Sequence, residues 1–139
     1  MAASAMSSLG TGMMRVLVIE DNPADVLLIE EAFSECGYRC ELTFANSLSK
    51  AEGVIAEHKF HIVLCDCAER EGAARVIGVI RRHQPRVPVI VLSGYPDPHP
   101  AYDAGANAFV RKAANLDEFF RRVREIMHFW VEVAELPKS

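Results

Sequence analysis

The stretch Phe60-His61-Ile62-Val63-Leu64-Cys65-Asp66 sets three consecutive aliphatic residues before a carboxylate, and it restricts the fold more than any other part of the chain. An unbroken apolar run of this length reads as a strand buried on both faces, which calls for a parallel sheet covered by helices on each side. Three more runs end in the same manner. Arg15 to Ile19 leads into Glu20-Asp21, Val87 to Leu92 into Ser93-Gly94, and Ala108 to Arg111 into Lys112. The carboxyl ends of parallel strands share one rim, where open α/β sheets take their ligands, so acids, a hydroxyl and a lysine are expected to meet there.

The intervening segments carry helix signals. Asn22 and Pro23 suit an N-cap and a first turn, with Val26, Ile29 and Phe33 inward, an end near Cys36 and Gly37 as the stop. Tyr38 to Ala45 alternates weakly and reads as an edge strand; Ser47 caps a helix through Glu57. Ala73, Val76, Ile77 and Ile80 space a helix over Gly72 to His83, stopped before Pro85. Pro96, Pro98 and Pro100 fall where a fourth helix belongs and leave a short turn from Pro100 to Ala104. Asn115 and Glu118 stand as N-cap and N3 of a last helix reaching Leu136. Five strands alternating with helices predict one doubly wound parallel sheet in the flavodoxin-like order 2-1-3-4-5, with an irregular or shortened fourth helix. The domain is expected over 15–136, behind a flexible leader at 1–14 that is rich in Ala, Ser, Gly and Met.

Composition excludes several classes. With 139 residues, half of them hydrophobic, the chain buries a core without disulfides or a structural metal. A net charge of -4 argues against nucleic acid, since Arg121, Arg122 and Arg124 are set among acids on a predicted helix. Neither an 18-residue apolar run nor a signal-peptide pattern occurs, so no membrane contact and a cytoplasmic location are expected. Cys36, Cys40, Cys65 and Cys67 show C-x3-C and C-x-C spacings that match no common zinc pattern; they read as reduced thiols, with Cys67 the one to test for reactivity.

Strand order 2-1-3-4-5 makes the first and third strands neighbours and groups Glu20, Asp21 and Asp66. Crowded carboxylates repel, and a bound divalent cation relieves that while keeping them ionised; oxygen ligands suit Mg2+. In this setting Asp66 is placed to attack a phosphoryl donor, Lys112 supplies a point charge to the phosphoryl oxygens, and Ser93 a hydrogen bond.

In this order the residues resemble those of the receiver domain of bacterial two-component response regulators, over about residues 15 to 135. The resemblance implies Asp66 as phosphoacceptor, Glu20-Asp21 as the acidic pair around Mg2+, Ser93 as switch hydroxyl, Lys112 as the site lysine and Phe109 as switch aromatic. It further implies a histidine kinase as donor, with Mg2+ held by Asp21, Asp66 and the backbone carbonyl of Ala68. The run Val18-Ile19-Glu20-Asp21-Asn22-Pro23-Ala24-Asp25 and the Phe129-Trp130 pair are similar to small stand-alone regulators that partner bacterial phytochrome-type kinases. A protein without turnover of its own, signalling by contact with an unnamed downstream protein, is the expectation.

Departures from the pattern keep a second reading open. The loop after Asp66 reads Cys67-Ala68-Glu69-Arg70-Glu71-Gly72 without proline, and Ala113 follows Lys112, so a pseudo-receiver that signals without phosphorylation is the alternative. A haloacid-dehalogenase-like phosphatase would need a second acid where Ala68 stands. On the last helix, Phe129, Trp130 and Val133 extend the apolar surface beyond one stripe, and a homodimer is the simplest partner for them.

Overall fold

The computed structural model describes residues 13–66 and 70–137, the side chains of Arg70 and Glu71 excepted. Five strands, β1 (Met14–Ile19), β2 (Cys40–Ala45), β3 (Ile62–Asp66), β4 (Val89–Ser93) and β5 (Ala108–Arg111), alternate with α1 (Pro23–Glu35), α2 (Leu48–Glu57), α3 (Arg70–His83), α4 (His99–Ala104) and α5 (Leu116–His128). The sheet is parallel throughout in the order β2-β1-β3-β4-β5, as the apolar runs require.

Alternation along each strand builds two cores. Val16, Val18, Ile62, Leu64, Ile90 and Leu92 face one side, where Ile29 and Phe33 of α1 and Phe119, Val123 and Met127 of α5 cover them. Leu17, Ile19, Val63, Cys65, Val89 and Val91 face the other, under Ile55 of α2, Ile77 and Ile80 of α3 and Ala101 of α4. β3 and β4 lie inside the sheet with helices on both faces, which is why their sequences are apolar at every position but the last.

The helix ends follow local chemistry. Asn22 Oδ1 accepts from Ala24 N at 2.9 Å, Ser47 Oγ from Lys50 N at 3.2 Å and Asn115 Oδ1 from Glu118 N at 2.9 Å. The predicted reciprocal box on α5 forms only half, because the Glu118 carboxylate turns to Arg122 at 2.7 Å. Gly37 and Gly105 stop α1 and α4 at φ of 89° and 111°, backbone that a Cβ would strain.

Several boundaries differ from expectation. Met14, read as leader, opens β1 and is fully buried; residues 1–12 lie outside the described residues. β2 begins at Cys40, after the turn at Gly37. α3 starts at Arg70, two residues earlier than its apolar spacing showed. β4 begins at Val89, directly after Pro88, which has no N–H to give to the ladder, and includes Ser93; just ahead of it Arg81 Nη1 donates to Val87 O at 2.6 Å. The last helix does not continue to Leu136. α5 gives way at Phe129 to a π-helical segment, Phe129–Val133, closed by Ala134 N donating to Phe129 O, and the chain is extended from Ala134. α4 is six residues long, with no side-chain cap and Pro100 in its first turn, as the prolines predicted. No helix among the described residues is long and apolar enough to cross a membrane.

Candidate functional site

Parallel pairing matches Ile19 with Cys65, so the next residue on each strand, Glu20 and Asp66, stand side by side at the carboxyl rim. Pro23 starts α1 three residues after Glu20, and the first turn of that helix brings Asp25 back over the same rim. Glu20, Asp25 and Asp66 each present a carboxylate oxygen within 4.8 Å of the others. Lys112, one residue past β5, is positioned by its N–H donating to Ser93 O at 2.9 Å. Its Nζ lies 2.8 Å from Asp66 Oδ1 and 3.6 Å from Asp25 Oδ2.

The electrostatics follow from burial. Glu20 is 3% exposed; Oε2 accepts from Asn22 N at 2.9 Å, while Oε1 is buried with no hydrogen-bond partner. Burial foremost, then the neighbouring Asp66 carboxyl, push its pKa up to about 8 against the pull of the Asn22 N–H. For Lys112, burial disfavours the charge, but the hydrogen bond to Asp66 and the charges of Asp66, Asp25 and Glu20 outweigh it and raise the pKa. An all-oxygen donor set with an orphaned buried carboxylate oxygen and one ammonium among three acids fits a hard divalent cation such as Mg2+. A cleft of about 270 Å³ opens beside the cluster between Asp25, Leu28, Asp66, Lys112 and Leu116.

Of the residues singled out in the sequence, Glu20, Asp66 and Lys112 converge. Asp21 is exposed and outside the acidic group: successive residues leave a strand on opposite sides, so as Glu20 turns inward Asp21 turns to solvent. Asp25 stands in the group instead. Its signal in the sequence was its place in the first turn of a helix that begins at a strand end. Ser93 ends β4 one residue beyond Leu92, the register partner of Asp66, and is buried; its Oγ accepts from Tyr95 N at 3.0 Å. Phe109 packs half-buried against the α2–α3–α4 core, and its N–H donates to the Tyr102 hydroxyl at 3.1 Å, a tie between α4 and β5 that sequence reasoning missed. Ala68 and Cys67 lie outside the described residues. Phe129 and Trp130 meet edge to face at 5.1 Å, with Phe129 and Val133 exposed and Trp130 half-buried, far along the chain from the acidic rim.

A doubly wound parallel sheet in this order, with carboxylates and a lysine gathered at its carboxyl rim, defines a flavodoxin-like module. The chain belongs to the response regulator receiver domain family, whose model matches residues 16–124. Among curated proteins it is similar to the response regulator Rcp1 of Synechocystis, 24% identical over 137 residues that cover 89% of this chain and 93% of that protein. Among solved structures it is similar to the phosphorylated cyanobacterial phytochrome response regulator RcpA, at 26% identity and TM-score 0.78, covering 91% of this chain and 99% of that one. It is also similar to the Thermotoga maritima response regulator TrrA in complex with Mg2+ and BeF, at 27% identity and TM-score 0.65, covering 82% and 99%. As a receiver domain, the chain is a signalling module.

Proposed function

We propose that this chain is a phosphorylatable receiver that takes a phosphoryl group from a histidine kinase onto Asp66. The observation that carries the reading is the 2.8 Å pair of Lys112 Nζ with Asp66 Oδ1 inside a group of three carboxylates. Lys112 holds one oxygen of Asp66, leaving the other to attack phosphorus as the bond to the kinase's imidazole nitrogen breaks. Glu20, Asp25 and Asp66 are the acids gathered to hold Mg2+, with Asp21 and the carbonyl of Ala68 as the further ligands that the receiver resemblance implies. The cation would neutralise the charge on the incoming phosphoryl oxygens. Lys112 stays close enough to follow those oxygens, and Ser93, releasing Tyr95 N, offers its hydroxyl to them.

Movement of Ser93 shifts β4 against β5, and Phe109 with its Tyr102 tie transmits the change to α4. Output in this reading is a protein contact rather than turnover of a substrate, by a cytoplasmic regulator with a downstream protein partner, and a second copy docks through Phe129, Trp130 and Val133. The relative's description as a phytochrome response regulator supports a phytochrome-type kinase as donor.

Intact mass after incubation with a small phosphodonor and Mg2+ tests the reading. One added phosphoryl group on the wild type and none on Asp66→Asn is expected. No addition to folded wild type would overturn it in favour of a pseudo-receiver.

A further inference from the structure

The end of the sheet opposite the acidic rim holds a cavity of about 100 Å³, formed where the chain enters β3 and β4. Phe60, Val87 and Pro88 line it and are buried, and the extended chain after Ala134 brings Pro137 to it. Its walls are fixed from behind. Gln84, itself buried, donates from Nε2 to Ile55 O at 2.9 Å and to His58 O at 2.6 Å, and its Oε1 accepts from Phe60 N at 3.2 Å. Arg81 Nη1 donates to Pro85 O at 3.3 Å and to Val87 O at 2.6 Å. Pro85 and Pro88 restrict the backbone of the same loop.

Charge around this cavity is of one sign. Lys59, His61 and Arg86 line it and none of the described lining residues is acidic, in a chain whose net charge is -4. The side chains of Lys59 and Arg86 have no hydrogen bond or ion pair with a described residue. His61 Nδ1 accepts from Arg15 N at 2.8 Å, so the ring proton is on Nε2, where no described residue takes it. Burial foremost, then the Arg15 charge, lower the His61 pKa and keep the ring in this neutral form. Arg15 itself lies over the Phe60 ring, 5.6 Å from its centroid, and pairs with Glu41 at 3.4 Å.

We propose that this cavity binds a short-chain carboxylate, its head met by Lys59, Arg86 and the His61 Nε2–H and its alkyl tail set against Phe60, Val87 and Pro88. Three donors without partners and no facing acid select an anion. The buried apolar lining favours one with an alkyl body over a bare oxyanion, whose charge it would strip of water. Size limits that body: a cavity of roughly 150 Å³ holds a benzene ring, so about 100 Å³ takes a chain of about three or four carbons. Because the loop is held before the ligand arrives, binding costs little in ordering it.

Butyrate is the probe, titrated at constant ionic strength into the full chain labelled with 15N while the backbone amide shifts are followed. Saturable shifts at His61, Arg86, Val87 and their neighbours are expected, with a Kd on the order of 1 mM. Butyramide, of the same shape without the charge, is expected to leave these amides unmoved. Lys59→Gln with Arg86→Gln, both at exposed positions, is expected to weaken butyrate about tenfold. Shifts that do not saturate, equal binding of butyramide, or undiminished binding by the double variant would each overturn the proposal. So would equal shifts from inorganic phosphate, which would mark an adventitious ion only. The comparison of butyrate with butyramide on the wild type decides the site even where the variant folds poorly.

Discussion

Among the described residues, Glu20 is the acid that its surroundings least allow to ionise. Its carboxyl is buried, one oxygen has no partner, and its pKa stands at about 8 instead of the ordinary 4.5. Between those values the folded chain keeps a proton that the unfolded chain has released, so in metal-free buffer stability falls as pH rises from about 4.5 to 8. Each unit is worth about 1.4 kcal/mol, which makes the loss several kcal/mol across the window. Glu20→Gln, neutral at every pH, is expected to flatten that slope. Denaturant midpoints in chelator from pH 5 to 8.5 measure it, and parallel slopes for both proteins would refute the assignment. Asp66, Lys112 and Glu20 were legible at this scale because strand ends announce themselves by an apolar run stopping at a charge. Asp25 and Tyr102 were not, since each acts across a turn or between elements that sequence spacing does not measure.

Among the elements, hydrophobic period and capping residues carried the order, the type and the parallel sheet, while ends set by tertiary contacts escaped. β4 starts two residues late, after Pro88, and beside that start Arg81 reaches Val87 O, Gly105 O and Asn107 Oδ1, the last two at 2.7 Å, gathering the ends of α3, α4 and β4 around one guanidinium. The π-helical segment was hidden for a similar reason: an apolar run reads the same whether its backbone hydrogen bonds close four residues on or, with one extra residue in the ring, five. That extra residue has a consequence for surface chemistry, since it leaves Phe129 and Val133 exposed at 47% and 62%. Next to them runs a groove against Val110 and Ile126, edged by Arg121, Arg122 and Glu125, so both signs of charge lie on one patch, as a two-fold contact needs. Val133→Asp is therefore expected to shift sedimentation toward monomer at concentrations where the wild type associates. A monomeric wild type at high concentration would remove the dimer.

At the scale of the whole molecule, two apolar layers hold the sheet while its carboxyl rim works against it. Three carboxyl groups crowd around one lysine there, and above about pH 8, where Glu20 also ionises, the buried strands that deliver Glu20 and Asp66 hold repelling charges together. A ligand that binds this rim only in the folded state stabilises all of it by mass action, by about 2.7 kcal/mol at a hundred times its Kd. In a domain of this size each kcal/mol moves the Tm by roughly 3–5 °C, so saturating Mg2+ is expected to raise the Tm by about 10 °C. Asp66→Asn removes one repelling charge and one ligand together. It is expected to melt higher than the wild type in chelator and to gain little from Mg2+, a crossover that a generic effect of divalent salt cannot produce. Thermal scans of both proteins with Mg2+ and with chelator read both arms. An equal Mg2+ shift in the two would mean that the cation binds elsewhere, and would remove the rim as the origin of the stabilisation.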